Sequence, residues 1–180
     1  METIALFGGS FDPPHAGHIA IVEALREFEK IDKIIIMPTF LNPFKSLSYA
    51  PATLRLKWLK EIFRHDKKII VSDYEVKQAE KTPTIQSVQW LLKSYKKIYL
   101  VLGADSFASL HTWHRYDELK EKVEFIIASR DKIKIPDNYI CLNIDENISS
   151  SVLRKNLDIQ KIPSKCATEI AQFYKENNAK

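Results

Sequence analysis

The stretch TIALFGGSFDPPHAGHIA, residues 3–20, contains an apolar run, a loop of glycine, proline and histidine, and the start of an amphipathic segment. Three of the four glycines in the chain lie within it. A short apolar run, a turn and then a helical periodicity are typical of a strand, a loop and a helix. We therefore predict a strand over 3–7 and a helix over about 17–28.

The same alternation continues along the rest of the chain. Further strands are predicted at 33–37, 68–71, 98–102, 123–128 and 139–142, and further helices at 52–64, 84–95, 149–157 and 164–176. Strands that are apolar throughout and alternate with helices indicate a parallel sheet covered on both faces. Right-handed crossovers then make a doubly wound, Rossmann-like α/β fold. We expect a single domain over 1–180, with a small C-terminal helical part from about residue 149.

Composition and charge exclude several classes of protein. The chain has 180 residues, and 27 Lys and Arg against 23 Asp and Glu give a net charge of +4. This balance fits anionic small molecules and is too weak to argue for nucleic acid. The sequence has no apolar run long enough for a membrane span, and residues 1–10 show neither a basic n-region nor a signal-peptide cleavage site. Cys141 and Cys166 form no C-x-x-C pair. We expect a cytoplasmic protein without disulfides, and leave its oligomeric state open.

The loop after the first strand has the features of a phosphate-binding site. Gly8 and Gly9 lie at a strand end, where open α/β sheets bind ligands, and glycine permits close approach and positive φ. His15 and His18 share one face of the first helical turn, whose N-terminus favours anions. An imidazole N–H can donate to a phosphate oxygen, and Gly17 between the histidines is expected to leave room for the ligand.

Other interpretations of this loop stay open. A plain turn explains the prolines and not the two histidines, which could instead cap the helix or lie in the core. The dinucleotide-binding pattern G-x-G-x-x-G is absent. His111 and His114 form a second i, i+3 pair, so a metal site is an alternative. No cysteine or acidic residue lies at a usual ligand spacing, and we expect no metal ligand from protein side chains.

Two motifs carry a resemblance to a known superfamily. Residues 9–18, GSFDPPHAGH, resemble the signature of the HxGH nucleotidyltransferases, and residues 148–154, ISSSVLR, resemble the serine-rich motif near the C-terminus of its members. The resemblance implies transfer of a nucleotidyl group from a nucleoside triphosphate to a phosphate, with release of pyrophosphate. It also implies that His15, His18 and Arg154 are catalytic, although one of the serines could serve only as a helix N-cap.

A third segment narrows the resemblance from the superfamily to one of its families. Residues 100–115, LVLGADSFASLHTWHR, are similar to the bacterial nicotinate-nucleotide adenylyltransferase family, and the similarity extends from Ile4 to about Tyr174. It implies adenylyl transfer from ATP to nicotinate mononucleotide, giving deamido-NAD and pyrophosphate. Mg²⁺ is expected to accompany ATP. The mononucleotide phosphate is expected to attack the α-phosphorus in line, without a protein nucleophile.

The resemblance also implies which residues contact each substrate. For ATP they are Gly8, Gly9, Ser10, Phe11, His15, His18, Gly103, Asp105, Arg130, Ser150, Ser151 and Arg154. For the pyridine nucleotide they are Lys45, Thr84, Asp105 and Trp113. Trp113 is expected to stack on the pyridine ring, whereas Trp58 and Trp90 are expected in the core. Asp12 is expected to shape the loop, with a role as a metal ligand as its alternative.

The sequence departs from the family at three positions. Pro83 stands where the family has tyrosine, Gln86 where it has aspartate, and Phe44 where it has histidine. These changes bear on the acceptor pocket, and the choice between nicotinate and nicotinamide mononucleotide stays open. The rivals are a phosphopantetheine adenylyltransferase, which shares the first two motifs, and a non-catalytic nucleotide sensor or nucleic-acid-binding domain. Intact motifs argue against a sensor, and the lack of basic patches with interleaved aromatics argues against nucleic acid.

Overall fold

The computed structural model describes residues 1–129, 135–146 and 148–178. Six strands form one parallel sheet in the order β3-β2-β1-β4-β5-β6. The strands are β1 (Thr3–Gly9), β2 (Lys33–Pro38), β3 (Ile69–Val71), β4 (Lys97–Gly103), β5 (Glu124–Ser129) and β6 (Ile140–Asn143). Each predicted strand is therefore confirmed, with ends that differ by a residue or two.

Helices connect the strands and cover the sheet. They are α1 (Ala16–Arg26), α2 (Ala52–Ile62), α3 (Tyr74–Gln78), α4 (Thr84–Leu91), α5 (Ala104–Ala108), α6 (Tyr116–Lys122), α7 (Ser150–Asn156) and α8 (Ala167–Asn178). Short 3₁₀ turns lie at Leu110–Thr112, Ile159–Lys161 and Ser164–Cys166. The sequence did not predict α3, α5 or α6, because helices of five to seven residues are too short to show a hydrophobic period.

Both faces of the sheet are buried, as predicted. Along β1, Ile4 and Leu6 belong to one apolar core, and Ala5 and Phe7 belong to the other. The strand order reverses between β1 and β4, so a crevice opens outside the carboxyl ends of these two strands. Gly9 and Gly103 end β1 and β4, which places both at this crevice.

One expectation about a helical face was wrong. Trp58 is buried as expected, but Trp90 is 40% exposed, and its ring stacks on that of Tyr74 with centroids 4.3 Å apart. On α2, Leu54 and Leu56 are half-buried, whereas Arg55 is completely buried.

Three further observations concern the cysteines, the lengths of the helices and the packing of the last helix. Both cysteines are free thiols, Cys141 exposed and Cys166 buried. Within the described ranges, no helix combines the length and apolar character needed to cross a membrane. The C-terminal helix α8 contributes Ile170, Ala171 and Tyr174 to the same core as α1 and α2.

Candidate active site

The two motif histidines cap the first helix with their own side chains. His15 is the N-cap of α1, and its Nδ1 accepts from the Gly17 N–H at 3.1 Å. His18 Nδ1 in turn accepts from the His15 N–H at 3.1 Å, and the two rings stack with centroids 3.7 Å apart. Because each Nδ1 is an acceptor, a neutral ring carries its proton on Nε2. Capping therefore orients two imidazole N–H donors, so it is compatible with phosphate binding.

The glycines of the motif differ in their surroundings. A Cβ on Gly17 would lie 3.0 Å from Cε1 of His15 and 3.2 Å from Cγ2 of Ile148. Gly17 therefore allows the chain to pack closely against these side chains, and its role in leaving room for a ligand stays a prediction. None of the four glycines, all of which are described, has positive φ, which corrects the expectation for Gly8 and Gly9. In this loop Phe11 has a positive φ instead, of 49°. Its ring packs edge-on against that of Phe7.

Asp12 shapes the motif loop, which we define as residues 8–15. Its carboxylate is 3% exposed and accepts from the N–H groups of Tyr49 at 2.7 Å and Ala50 at 3.0 Å. The hydroxyl of Tyr174, on α8, donates to the same carboxylate. Burial and the negative charge of Asp12 raise the pKa of Tyr174, so the phenol stays protonated as a donor. The loop-shaping role predicted for Asp12 is thus present in the structure.

Sequence reasoning missed Arg55, which joins the motif loop to the proline loop, residues 38–51. Nη1 donates to the Ser10 carbonyl at 2.6 Å, Nη2 to the Phe40 carbonyl at 2.9 Å and Nε to the Ala50 carbonyl at 3.0 Å. Burial lowers the pKa of Arg55, and the nearby Asp12 carboxylate opposes this effect. A signal was available, because residues 55, 58, 59 and 62 have the i, i+3, i+4, i+7 spacing of a buried helical face.

The serine-rich motif docks on the motif loop. Ser150 Oγ donates to the Pro13 carbonyl at 3.1 Å, and the Arg154 guanidinium donates to the Asp12 carbonyl. Ser149 is the N-cap of α7, accepting from Val152 N–H at 3.3 Å, as the capping alternative predicted for one of the serines. The two motifs are 137 residues apart at the Ser150 contact, and the fold brings them together.

A cluster of cations surrounds the motif loop. Lys45 Nζ lies 3.3 Å from Ser10 Oγ, and burial followed by the positive charge of Arg154 lowers the pKa of Lys45. Arg55 adds to this repulsion. Arg154 lies 4.2 Å above the ring of Tyr49, and its Nη2 contacts Ser151 Oγ at 3.3 Å. Three cations held against their mutual repulsion make a site suited to a polyanion.

Beside this cluster lies a cleft at the carboxyl ends of β1 and β4, here called the acceptor cleft. Its cavity volume is about 170 Å³, and it is partly open to solvent. At the strand ends the cleft is lined by Gly8, Gly9 and Gly103. A Cβ on Gly103 would meet nothing within 4 Å. Its walls include Thr39, Asn42, Pro43, Phe44, Glu75, Thr82, Pro83, Thr84, Ser106, Ser109, Trp113 and His114.

Two polar atoms in the wall of this cleft lack a hydrogen-bond partner in the described part of the chain. They are Oγ1 of Thr39 and Nε1 of Trp113, both buried. Unpaired buried polar atoms are rare in folded proteins, and ordered water or a ligand supplies their partner. Thr39 was not predicted as a site residue, and a threonine just after a strand carries no signal that could have found it.

Two aromatic rings face the acceptor cleft. The centroids of Phe44 and Trp113 are 6.3 Å apart, with an interplanar angle of 39°. Of the three departures from the family pattern, Phe44 and Pro83 line the cleft, whereas Gln86 is exposed on α4.

The remaining predicted site residues lie in different parts of the molecule, and only some of them line the cleft. Thr84 and Trp113 are on the cleft wall, but Lys45 lies at the motif loop, and Asp105 is exposed in the first turn of α5. Arg130 falls outside the described residues. The pair His111 and His114 is exposed, and no cluster of three metal-ligating side chains forms among the described residues.

The parallel sheet, the capped motif loop and the cationic cluster define a class, the nucleotide-binding α/β transferases. Accordingly, the model of the family described as "Cytidylyltransferase-like" matches residues 6–156. Two curated relatives carry the name "Probable nicotinate-nucleotide adenylyltransferase". The one from Sulfurimonas denitrificans is 63% identical over 180 residues, covering 100% of this chain and 99% of the relative. The one from Campylobacter jejuni (strain 81116) is 44% identical over 176 residues, covering 96% and 97%.

Solved structures agree on the fold. The nicotinic acid mononucleotide adenylyltransferase of Plasmodium falciparum, complexed with NaAD, superposes with a TM-score of 0.82 at 24% identity and full coverage of both chains. A Vibrio parahaemolyticus protein described as a "Putative Nicotinate-nucleotide Adenylyltransferase" superposes with a TM-score of 0.66 at 21% identity, covering 98% of this chain and 97% of that one. The chain belongs to the cytidylyltransferase-like family and, within it, to the nicotinate-nucleotide adenylyltransferases.

Proposed function

We propose that the protein transfers the adenylyl group of MgATP to nicotinate mononucleotide, giving deamido-NAD and pyrophosphate. The observation that carries this proposal is the juxtaposition of an anion site and an aromatic cleft. Lys45, Arg55 and Arg154 surround the motif loop, and Trp113 lines the cleft beside it. The name of the relatives at 63% and 44% identity supports the same reaction.

In this proposal the motif loop binds the triphosphate. The Nε2–H groups of His15 and His18 are aligned by their caps to donate to phosphate oxygens, and Arg154 and Lys45 supply positive charge. The mononucleotide phosphate attacks the α-phosphorus in line, and pyrophosphate leaves toward the histidines. Such a reaction needs positioning and charge neutralisation and no protein nucleophile.

Mg²⁺ enters this proposal as part of the substrate MgATP. Both oxygens of Asp12, the acidic side chain of the motif loop, are engaged by Tyr49, Ala50 and Tyr174. This carboxylate therefore fits a structural role better than a metal-binding role. The triphosphate itself supplies the oxygen ligands that Mg²⁺ prefers, with water completing the shell.

In this proposal the pyridine ring of the acceptor enters between Phe44 and Trp113, whose planes are inclined by 39° and must become more nearly parallel. A ring stacked on both faces needs about 7 Å between its neighbours, twice a contact of about 3.5 Å. The two centroids are 6.3 Å apart, and Phe44 is 61% exposed on the proline loop, so a small displacement admits the ring. The unpaired Thr39 Oγ1 and Trp113 Nε1 are then available to polar atoms of the ligand.

The same proposal places the reaction in the cytoplasm, in keeping with two free cysteines. Nucleic acid and membranes take no part in it.

Product analysis tests the function directly. Purified protein is incubated with MgATP and, in parallel, with nicotinate mononucleotide, nicotinamide mononucleotide or phosphopantetheine, and the products are separated by chromatography. We expect deamido-NAD and pyrophosphate to form fastest in the first reaction. Dephospho-coenzyme A as the main product, or no product with any acceptor, would overturn the proposal.

A further inference from the structure

A buried carboxyl group forms part of the wall of the acceptor cleft. Glu75, on α3, is 6% exposed and lines the cleft together with Thr84 and Trp113. The Ser87 hydroxyl lies 2.6 Å from its Oε1. Ser87 follows Thr84 by three residues on α4, so the carboxyl group lies one helical turn below a residue predicted to contact the pyridine nucleotide.

Glu75 has no cation to neutralise it among the described residues. Burial raises the pKa of Glu75 to about 7, and the Ser87 hydrogen bond only partly opposes this. An uncompensated buried carboxyl group is costly to the fold and is typical of functional sites.

The charged groups around Glu75 are occupied elsewhere. On its own helix, Lys77 pairs with Asp73 at 3.0 Å, and Lys60 of α2 acts on Asp73. His114, across the cleft, is exposed and makes no contribution to the pKa of Glu75. The charge of Glu75 is therefore set by burial and by whatever occupies the cleft.

We propose that Glu75 is a specificity-determining residue that couples recognition of the acidic pyridine nucleotide to its own protonation. This inference rests on the proposed function, because it concerns the acceptor of that reaction. The protonated carboxyl donates to the bound nucleotide. The ionised carboxylate repels the nicotinate carboxylate, since like charges interact strongly where water is excluded. The amide of nicotinamide mononucleotide carries no charge and feels no such repulsion.

The sign of the pH dependence follows from this coupling. At pH values below about 7, Glu75 of the free protein is protonated and the acid binds well. As pH rises through this range, binding of the acid requires proton uptake, so the KM for nicotinate mononucleotide increases. A single linked proton permits up to about a tenfold increase for each pH unit above the pKa. The KM for nicotinamide mononucleotide stays nearly constant, and its identical phosphate makes it a matched control substrate.

The test compares the wild type with Glu75→Gln from pH 6.5 to 8.5. The neutral isostere should give a nearly flat KM for nicotinate mononucleotide, whereas the wild-type KM should rise at least tenfold. The control is Glu80→Gln, an exposed carboxyl just beyond α3, which should behave as the wild type. Calorimetry supplies a readout besides activity. Titration with deamido-NAD at pH 7.5, in buffers of different ionisation enthalpy, should show proton uptake that Glu75→Gln loses.

The proposal is overturned if Glu75→Gln and the wild type share one pH profile, or if acid and amide acceptors respond alike. Should Glu75→Gln fail to fold, Ser87→Ala decides. Losing the hydroxyl should move the midpoint of the wild-type profile to higher pH, and an unchanged midpoint contradicts the proposal. A wild type that makes deamido-NAD with a flat profile refutes only the role of Glu75. A wild type that makes none at pH 6.5 refutes the function itself.

Discussion

The two sides of the active site differ in how far the protein satisfies its own polar groups. On the phosphate side, the Asp12 carboxylate has three donors and the Arg55 guanidinium has three acceptors. On the acceptor side, Thr39 Oγ1 and Trp113 Nε1 have no partner in the described part of the chain, and Glu75 has a hydroxyl and no cation. The phosphate side is preorganised, and the acceptor side keeps its hydrogen-bonding capacity for a ligand.

This difference has a consequence for catalysis. Charge that develops on phosphates is stabilised best by donors that need not reorganise during the reaction. An acceptor pocket serves discrimination, which depends on polar groups that only the correct ligand pairs. Substitutions on the phosphate side should therefore lower kcat or stability, and substitutions on the acceptor side should raise a KM.

The largest effect is expected for His18→Ala, on the phosphate side. Loss of one preorganised donor lowers turnover by about 100- to 1,000-fold, or about 2.7–4 kcal/mol. The measurement is kcat from pyrophosphate release at saturating substrates. His18→Ala also removes the acceptor for the His15 N–H, which costs about 1 kcal/mol of stability.

A second variant separates these two roles of His18. His18→Gln retains a side-chain acceptor at the third helical position and should recover most of the lost stability, but not the wild-type turnover. Thermal unfolding and kcat are measured together on both variants. Near-normal turnover in His18→Ala would mean that the histidine only caps the helix, and the comparison between the two sides would lose its main support.

Arg55→Met tests whether Arg55 stabilises the phosphate side by joining the motif loop to the proline loop. The variant leaves the carbonyls of Ser10, Phe40 and Ala50 without their buried donor, so we expect a loss of about 3 kcal/mol in the free energy of unfolding. Urea denaturation measures it. Lys60→Met, on the exposed face of the same helix, is the control and should lose less than about 1 kcal/mol. Equal losses in both variants would contradict the linking role.

Trp113→Ala tests the acceptor side. Removal of the stacking surface should raise the KM for nicotinate mononucleotide about tenfold, which corresponds to about 1.4 kcal/mol, and leave the KM for ATP nearly unchanged. Trp113→Phe should recover part of the loss, because it keeps a ring. Equal increases in both KM values would indicate that Trp113 supports the fold and not one substrate.

Phe44→Ala should have the smallest effect. Its ring is 61% exposed and lies on a loop, so stacking there is partly offset by the ordering of the loop. We expect the KM for nicotinate mononucleotide to rise about threefold, or about 0.7 kcal/mol, with kcat unchanged. Steady-state kinetics with varied acceptor at saturating ATP measure this. An unchanged KM would indicate that the pyridine ring stacks on Trp113 alone and not on Phe44.

One part of the phosphate side, the pair of motif histidines, could be predicted from the sequence because its contacts are local, whereas the contacts of Arg55 and Tyr174 could not. The caps of His15 and His18 lie within four residues of each other, and the motif is adjacent to its strand. The sheet was also predictable, since runs such as 33–37 and 98–102 are apolar throughout. The positive φ expected of the glycines was wrong, and Phe11 has a positive φ in the same loop, where its ring contacts those of Phe7 and His18.

The acceptor side was less predictable, because it is assembled from separate segments. Glu75 lies on a helix of five residues that no periodicity could indicate, and Thr39 follows a strand without any motif. Their importance depends on burial beside a cleft, and burial of a polar side chain is a property of the packed molecule.

The sequence by itself determined the alternation of strands and helices and the position of the motif loop between β1 and α1, because both depend on neighbours a few residues apart. Only the tertiary structure decided which distant groups meet. Tyr174 donates to Asp12 across 162 residues, and Arg154 reaches the same loop from α7. Such contacts depend on where whole helices pack on the sheet. The same packing places Glu75 in the wall of the cleft with no neutralising cation from the residues that the structure describes.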